Sequence, residues 1–374
     1  MTMELGIEPE EAVDLLRKVL RIYSPSMREG ELARFLLDEM NRLGYESVYM
    51  DEVGNVLGSV GGGESRLMYV GHMDTVPGEL PYREESGYIY ARGATDAKSA
   101  LAAMVVAGAS LRDAGLEDGL TVACIVDEEG SSTGFKHLLK KGIKAGYLVF
   151  GEPSGVEAVT IAYRGRVQLM LECRTRPGHA GSPWAFKNAV EKLYEFYRLL
   201  KRRVEEAAPR QEVSGRFYTV STSITWIRGG EAANVIPGLC RAKVDVRLPP
   251  GFKALEVLKI SRETAEEFTG RNPGVYVDVQ AEEWSDAYEA DRRSKLLMVL
   301  REAVKQVRGR YPKLLRKTGT GDMNLLAGSG VEALTYGPGE SMLSHTDRER
   351  IKIQDYLDSI KVYRLVALKL LGSR

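Results

Sequence analysis

A histidine and an aspartate that could hold a metal ion stand close together, at His72 and Asp74. They follow a short apolar run, Leu67–Val70, that is typical of a buried strand, and Pro77 ends the extended segment. Side chains at i and i+2 of an extended segment point to one face, so the two can meet. A carboxylate often holds the second ring nitrogen of a metal-bound histidine. The pair therefore indicates a metal ligand and its support, although a strand-end histidine with an ordinary hydrogen bond fits equally well.

Acidic residues stand at the ends of the next two apolar runs. Leu120–Val126 is nearly all apolar, as in a strand buried inside an α/β sheet, and the acids Asp127–Glu129 follow it. Gly146–Phe150 is a second short apolar run, and Glu152 comes soon after it. Adjacent acids repel one another unless a cation lies among them, and open α/β sheets bind ligands at the carboxyl ends of their strands. The pattern predicts a metal site at that edge of a parallel sheet.

Two further candidates stand in predicted loops. Asp96 lies just before a predicted helix, Ser99–Ala114, where an ordinary N-cap carboxylate is the simpler interpretation. His345 comes much later, just before a long predicted helix. His137 lies in a Lys-rich helix at no strand end, so we interpret it as a surface residue.

The composition is that of an ordinary globular protein. With 374 residues, 44% hydrophobic and 28% charged, the chain favours two domains. A formal net charge of zero argues against a general nucleic-acid binder. The cysteines, Cys124, Cys173 and Cys240, form no disulfide framework and fit a reducing compartment. Because Met1–Ala12 lacks a secretory pattern and Ala100–Leu111 is too short to span a bilayer, we expect a cytoplasmic protein without a membrane segment.

The order of predicted elements changes part-way along the chain. Up to Glu152, strands and helices alternate, whereas residues 163–282 read β-β-α-β-β-α-β, which indicates an inserted α+β domain. The alternation returns after that segment. We therefore predict a first domain formed by residues 1–162 and 283–374, interrupted by an inserted domain at residues 163–282.

These candidate residues, taken in order, resemble the active site of the two-zinc exopeptidase and deacylase family, which includes acetylornithine deacetylase, succinyl-diaminopimelate desuccinylase, aminoacylase and glutamate carboxypeptidase. The resemblance covers nearly the whole chain. It implies a zinc-exopeptidase-like α/β catalytic domain, with a mixed central sheet flanked by helices, and an inserted ferredoxin-like α+β domain that serves as lid and dimerisation domain. The ligands it implies are His72, Asp96 and Glu152 for one metal ion and Asp96, Glu129 and His345 for the other.

The resemblance also implies that Asp74 orients His72 and that Glu128 is the general base. Two divalent ions can polarise an amide carbonyl and acidify a water, whose proton a carboxylate takes. Nitrogen and oxygen ligands without thiolate suit Zn²⁺ or Co²⁺. The sequence contains neither His-Glu-x-x-His nor Gly-x-Ser-x-Gly, so the competing hydrolase motifs are missing. We therefore predict a metal-dependent amidohydrolase that acts on a linear amide.

Two parts of the inserted domain match the same family. The loop Pro177–Pro183 resembles the one whose histidine, here His179, reaches the partner subunit's active site and steadies the oxyanion, which implies a homodimer. The segments around Asn234 and Arg247 resemble those that hold the substrate carboxylate. A guanidinium suits that task, although a surface arginine on a sheet is the alternative.

Within the family, several segments resemble an archaeal and thermophile branch. Members of that branch remove lysine or ornithine from the C-terminal glutamate side chain of an acidic amino-group carrier protein. The segments that carry this resemblance are Gly71–Gly78, Asp127–Ser132, Thr318–Asn324 and Tyr336–Gly339. Asp322 would suit the distal ammonium of lysine or ornithine, although a turn aspartate is the alternative.

The charge distribution is compatible with an acidic carrier. Residues 163–216 contain twelve Lys and Arg against six Asp and Glu. A basic face could steer the carrier, but a solvated helix face around Lys201–Arg203 fits equally well. The alternatives are a small-molecule N-acyl amino acid deacylase, for acetylornithine, acetyl-lysine or succinyl-diaminopimelate, or a dipeptidase. A metal-retaining pseudoenzyme is disfavoured by the presence of Glu128, and a nucleotide-binding transferase by the lack of phosphate-loop spacing.

Overall fold

A computed structural model describes residues 6–210 and 215–372. These residues form two compact units. The first contains the described residues up to Ala162, then Ala290–Arg316, and those from Gly321 onward, and the second contains the described residues of Tyr163–Glu289 with Lys317–Thr320. No helix in this described part of the chain combines the length and apolarity needed to cross a membrane.

The bounds of the regular elements are as follows. The α-helices are α1 (Pro9–Arg21), α2 (Gly30–Arg42), α3 (Lys98–Ala109), α4 (Thr133–Lys141), α5 (Ala189–Ala207), α6 (Ala254–Arg271), α7 (Lys295–Arg308) and α8 (Ile353–Leu371). The β-strands are β1 (Ser47–Met50), β2 (Val56–Val60), β3 (Ser65–His72), β4 (Arg83–Glu85), β5 (Tyr88–Tyr90), β6 (Gly119–Ile125), β7 (Tyr147–Phe150), β8 (Ala158–Tyr163), β9 (Gly165–Arg174), β10 (Gly178–His179), β11 (Ser221–Gly229), β12 (Val235–Ile236), β13 (Leu239–Leu248), β14 (Tyr276–Ser285), β15 (Tyr288–Glu289), β16 (Lys313–Lys317), β17 (Glu332–Thr335) and β18 (Arg350–Lys352).

The first unit is built on a mixed sheet with the order β1-β2-β6-β3-β7-β17-β8. Its centre is parallel, because β3 pairs in parallel with β6 and β7, and β7 with β17. Strands β2 and β8 join antiparallel on either side. The predicted mixed α/β sheet is thus confirmed, and the carboxyl ends of β3, β6 and β7 meet at one edge.

Helix α3 packs directly against this sheet, on β3 and β6. Every residue of α3 is buried, which explains why its sequence is apolar on all sides. The approach is close at Gly71, where a Cβ atom would lie only 3.0 Å from Leu101. A side chain there would push α3 away from β3, so this glycine fixes the position of the neighbouring His72 relative to the helix.

The second unit contains an antiparallel sheet with the order β11-β13-β9-β14. Burial alternates along β9, and the inward residues Val167, Leu169 and Leu171 belong to a core shared with α5 and α6. The alternation expected for a sheet with one covered face is therefore present. The role of this unit as lid and dimerisation domain stays a prediction.

Helix α5 begins at Ala189, because Pro183–Ala185 forms a 3-10 turn and the Asn188 side chain caps the helix. The second unit was expected to end at residue 282, but β14 pairs with β9 as far as Ser285, past a register shift between Ala281 and Glu283, and the unit extends to Glu289.

Candidate active site

His72 is the last residue of β3 and is 1% exposed. Its Nδ1 lies 2.9 Å from the backbone oxygen of Asp74. Because a carbonyl can only accept, Nδ1 must carry the proton, which leaves a lone pair on Nε2 of the neutral ring. Among the described residues, Nε2 has no hydrogen-bond partner. A buried nitrogen with a free lone pair fits a metal ligand.

Asp74 contacts His72 with two of its atoms. Its carboxylate is 3.4 Å from Nδ1 of His72 and its backbone oxygen is 2.9 Å from the same nitrogen. The same carboxylate accepts the backbone N–H groups of Glu128 and Glu129, each at 3.0 Å, and the Ser26 hydroxyl at 2.7 Å. Asp74 therefore holds the imidazole and also fixes the turn that carries Glu128 and Glu129.

Asp96 lies between the two predicted histidine ligands. One carboxylate oxygen is 3.6 Å from Nε2 of His72, and the other is 3.3 Å from Nε2 of His345. Nε2 of His345 is also 2.8 Å from Glu129, while Glu152 is 3.5 Å from Nε2 of His72. The side chains predicted to bind metal are therefore brought together, with Asp96 in the shared position.

Two overlapping groups of three residues could each hold a metal ion. In each group, one ligand atom from every residue lies within 4.8 Å of the other two. The groups are His72 with Glu128 and Glu152, and His72 with Asp96 and Glu129. Imidazole and carboxylate donors without thiolate suit zinc or cobalt. The residues present therefore fit divalent cations, and the assignment of individual ligands stays a prediction.

The charges in this cluster need a cation to balance them. Burial raises the pKa of Glu128 well above its usual range, and the charges of Glu152 and Asp322 add to the effect. The carboxylates of Asp96 and Glu129 raise the pKa of His345 to about 10. Both raised pKa values mean that this cluster of carboxylates favours added positive charge. A metal ion would supply that charge.

Asp322 belongs to the same charged neighbourhood. It begins a 3-10 turn, Asp322–Leu326, and is 4% exposed. Among the described residues, neither carboxylate oxygen has a partner with hydrogen-bond geometry. Burial raises the pKa of Asp322 to about 6, although the Ser132 hydroxyl acts in the opposite direction. A buried carboxyl of this kind is suited to bind a cationic group of a ligand.

In the second unit, His179 and Asn234 lie side by side. β10 pairs with β12, and the Ala180 N–H donates to the backbone oxygen of Asn234 at 2.9 Å. Nδ1 of His179 accepts the Gly181 N–H at 3.0 Å. In the neutral ring, Nε2 therefore carries the proton and can donate it in a hydrogen bond.

Arg247 is separated from that pair. It lies near the far end of β13, and the strand from Leu239 to Arg247 spans roughly 25 Å. Its guanidinium contacts the Asp245 carboxylate at 2.7 and 3.3 Å. The structure does not bring Arg247 and Asn234 together within the second unit, and a role for Arg247 in holding substrate stays a prediction.

The basic face suggested by the sequence is partly neutralised within the second unit. Lys201 and Arg202 lie 3.9 Å from Glu205 and Glu206, one turn along α5. Arg203 pairs with Glu267 of α6. These ion pairs favour a solvated helix face over a surface that steers an acidic partner.

His137 belongs to a further group of possible ligands, with Asp51 and Glu52. Its Nε2 is 3.0 Å from Glu52, whose carboxylate also pairs with the Lys141 ammonium at 2.6 Å. The Asp51 carboxylate accepts backbone N–H groups of the following turn. The donors of this group are thus already used in structural contacts, and the His137 side chain is partly buried rather than fully at the surface.

Sequence reasoning missed the residues that hold the ligands in place. Ser26 supports Asp74, as described, and the buried pair Arg92 and Glu349 joins the loops that carry Asp96 and His345. Ser26 stands beside no acidic or histidine-rich motif that would have drawn attention to it. Arg92, four residues before Asp96, and Glu349, four residues after His345, could have been found by proximity to a predicted ligand.

The sequence profile of Peptidase family M20/M25/M40 matches residues 68–369. The chain belongs to this family. The family resemblance is thereby confirmed, and the protein is an M20-family hydrolase.

Two relatives match nearly the whole length of this chain and carry one name. A protein of Pyrobaculum aerophilum is 34% identical over 358 residues, which cover 96% of this chain and 97% of the relative, and is provisionally named LysW-lysine/LysW-ornithine hydrolase. A protein of Saccharolobus islandicus strain M.16.4 carries that name without qualification and is 29% identical over 370 residues, 98% of this chain and 97% of the relative.

Solved M20 structures share the fold. Aminopeptidase PepT from Bacillus cereus superimposes with a TM-score of 0.79 at 21% identity, covering 96% of this chain and 98% of that one. The M20 metallo-carboxypeptidase Sso-CP2 from Sulfolobus solfataricus does so with a TM-score of 0.74 at 18% identity, with the same coverage.

Proposed function

We propose that this M20 hydrolase cleaves the amide that joins lysine or ornithine to the C-terminal glutamate side chain of the acidic carrier protein LysW. The free amino acid would be released for lysine or arginine biosynthesis. The observation that carries the proposal is the likeness, over nearly the full length of each chain, to proteins named for this hydrolysis. The unpaired cysteines accord with a cytoplasmic location.

In this proposal two divalent cations, Zn²⁺ or Co²⁺, are held by the predicted ligands. These are His72, Asp96 and Glu152 for one ion and Asp96, Glu129 and His345 for the other. The two oxygens of Asp96, each facing a different histidine, support a shared position for that residue. When bound, such ions polarise the scissile carbonyl and lower the pKa of water.

Glu128 is the proposed general base. Its carboxyl is partly buried and has other acids near it, which raises its pKa toward the range in which a base works best. It takes a proton from the attacking water and passes it to the departing α-amino group. The Asp74 carboxylate holds the backbone of Glu128 in place for this step.

Asp322 is the proposed contact for the distal ammonium of the substrate. Its carboxyl is buried and lies close enough to Glu128 for the two charges to interact. A lysine or ornithine ammonium would neutralise it and remove the cost of an isolated buried charge. Arg247 and Asn234 remain the proposed contacts for the substrate carboxylate.

A homodimer is proposed because one protomer cannot deliver all of these groups. His179 and Asn234 lie at one end of β13 and Arg247 at the other, a separation of roughly 25 Å. A substrate as small as lysine cannot contact both sets within one second unit. The edge strand β11 also exposes Trp226 (42%) and Ile227 (47%), apolar side chains that a second copy would cover.

Two inactive variants are expected to restore activity when they are mixed. If His179 serves the partner's site, a heterodimer of His179→Ala and Glu128→Gln subunits contains one complete site. Dissociating and reassociating equal amounts should give about a quarter of the wild-type rate in a two-fold symmetric dimer. Each variant reassociated alone is the control, and a mixture no more active than its components would show that His179 does not act across subunits.

The direct test is amine release by metal-loaded protein from LysW-linked lysine and ornithine, compared with acetyl-lysine and acetylornithine. Fast release from the carrier alone supports the proposal. Faster turnover of the acetylated amino acids would favour a small-molecule deacylase, with the same site and a different pocket. The pairing of Arg203 with Glu267 favours this second candidate to a small extent, since it reduces the basic surface that could attract the carrier.

A further inference from the structure

A buried ion pair joins two loops of the candidate site. Glu349 is 1% exposed, and its carboxylate is 2.6 Å from Nη1 of Arg92, whose side chain is 9% exposed. Neither residue belongs to the proposed ligands or to the proposed general base. Burying an ion pair costs desolvation free energy, which further hydrogen bonds must offset. The other contacts of this pair therefore show which parts of the chain it holds together.

The contacts of Glu349 are with the loop that carries Asp96. Its second oxygen accepts the backbone N–H groups of Gly93 at 2.9 Å, Thr95 at 3.3 Å and Asp96 itself at 3.4 Å. Both oxygens of the carboxylate therefore accept hydrogen bonds from residues 92–96, and neither is within the groups of possible metal ligands that the described residues form. It acts on the site only through the position of the Asp96 backbone.

The contacts of Arg92 are with the other loops. Nη1 donates to the backbone oxygen of Thr346 at 2.9 Å, next to His345, and Nε donates to that of Gly78 at 2.7 Å, in the loop after His72. One guanidinium thus connects the loops that follow β3 and precede α3 with the loop before β18. The planar fork of arginine is suited to three fixed acceptors.

We propose that the Arg92–Glu349 pair is a positioning clamp that sets the distance between Asp96 and His345, and so determines the affinity for the metal ion that these two share with Glu129. The inference rests on the proposed metal centre. The ion held by His72, Asp96 and Glu152 depends less on the clamp, because β3 and β7 position two of its three ligands directly.

The test is the variant Glu349→Gln, which keeps the size of the side chain and removes its charge. Protein stripped with a chelator is titrated with Co²⁺ in a calorimeter, and the cobalt absorption spectrum is recorded at each addition. We expect one binding step to weaken by roughly 10–100-fold, as is typical when a supporting residue outside the ligand set is changed, and the other, which shares Asp96, to weaken less. Activity should return as Co²⁺ is raised to saturation, which a damaged catalytic group would not permit.

The matched control is Asp358→Asn. Asp358 is 6% exposed and lies on α8, where it pairs with Arg308 of α7 at 2.5 Å, so it is also a buried partner of an arginine. We expect a comparable fall in melting temperature with no change in Co²⁺ affinity. If Glu349→Gln does not fold, Arg92→Lys tests the same clamp, because it keeps the charge and loses the fork.

Three outcomes separate the possibilities. Equal Co²⁺ affinities in wild-type and clamp variants would overturn the clamp while leaving the metal centre intact. Equal weakening in the clamp variant and in Asp358→Asn would reduce the pair to a general stabiliser and also overturn it. Wild-type protein that binds no Co²⁺ would instead refute the proposed function on which the inference rests.

Discussion

Replacement of Glu128 by glutamine is expected to lower kcat by roughly 10²–10⁴-fold, the usual contribution of a general acid–base group. Glutamine has nearly the same size and cannot take a proton from water. The backbone N–H of residue 128 still donates to the Asp74 carboxylate, so the turn is retained. Because Glu128 is not among the proposed ligands, we expect binding of both metal ions to stay near normal.

The measurement is steady-state release of lysine at saturating metal, together with metal content by elemental analysis. Glu332→Gln is a matched control, since Glu332 begins β17 and therefore lies at the opposite edge of the sheet from the site. It should retain full activity. A Glu128→Gln enzyme with wild-type turnover would refute the general-base assignment, and one that has lost a metal ion would make Glu128 a ligand, as its proximity to His72 and Glu152 permits.

Replacement of Asp96 by asparagine is expected to have the second large effect, the loss of both metal ions at micromolar concentration. Asp96 faces His72 with one oxygen and His345 with the other, so removing its charge weakens both proposed sites at once. The loss of affinity should exceed the roughly 10–100-fold that is typical of a supporting residue outside the ligand set. Activity should fall to background.

A thermal readout distinguishes this result from simple unfolding. An ion present at 100 times its dissociation constant stabilises the native state by about 2.7 kcal/mol. Added Co²⁺ or Zn²⁺ should therefore raise the melting temperature of the wild-type protein and of Asp358→Asn, but not that of Asp96→Asn. An Asp96→Asn protein that is stabilised by metal to the wild-type extent would contradict a shared role for Asp96.

The sequence predicts the part of this molecule that depends on local pattern. Apolar runs in the sequence predicted the positions of β3, β6 and β7. The polar residues that follow these strands lie close together because the strands are parallel and their carboxyl ends lie at the same edge of the sheet. Even the shared position of Asp96, implied by family resemblance, agrees with its place between His72 and His345.

What the sequence did not predict depends on contacts between distant segments. The Asp74 carboxylate lies 3.4 Å from Nδ1 of His72, as expected, but it also accepts the backbone N–H groups of a turn more than fifty residues away, which was not expected. The positive charge counted in residues 163–216 is partly cancelled by Glu267, on a helix outside that window. Such pairings leave no periodic signal, because each is a single contact set by the packed fold.

The order of the candidate ligands along the chain has a consequence for synthesis. His72, Asp96, Glu129 and Glu152 precede the second unit, whereas His345 follows it. At 5–20 residues per second, the ribosome needs about 10–40 s to pass from Glu152 to His345. During that time the nascent chain holds a cluster of acids without the imidazole that completes it. If His345 is a ligand as proposed, hydrolytic activity cannot begin before the second unit has been made.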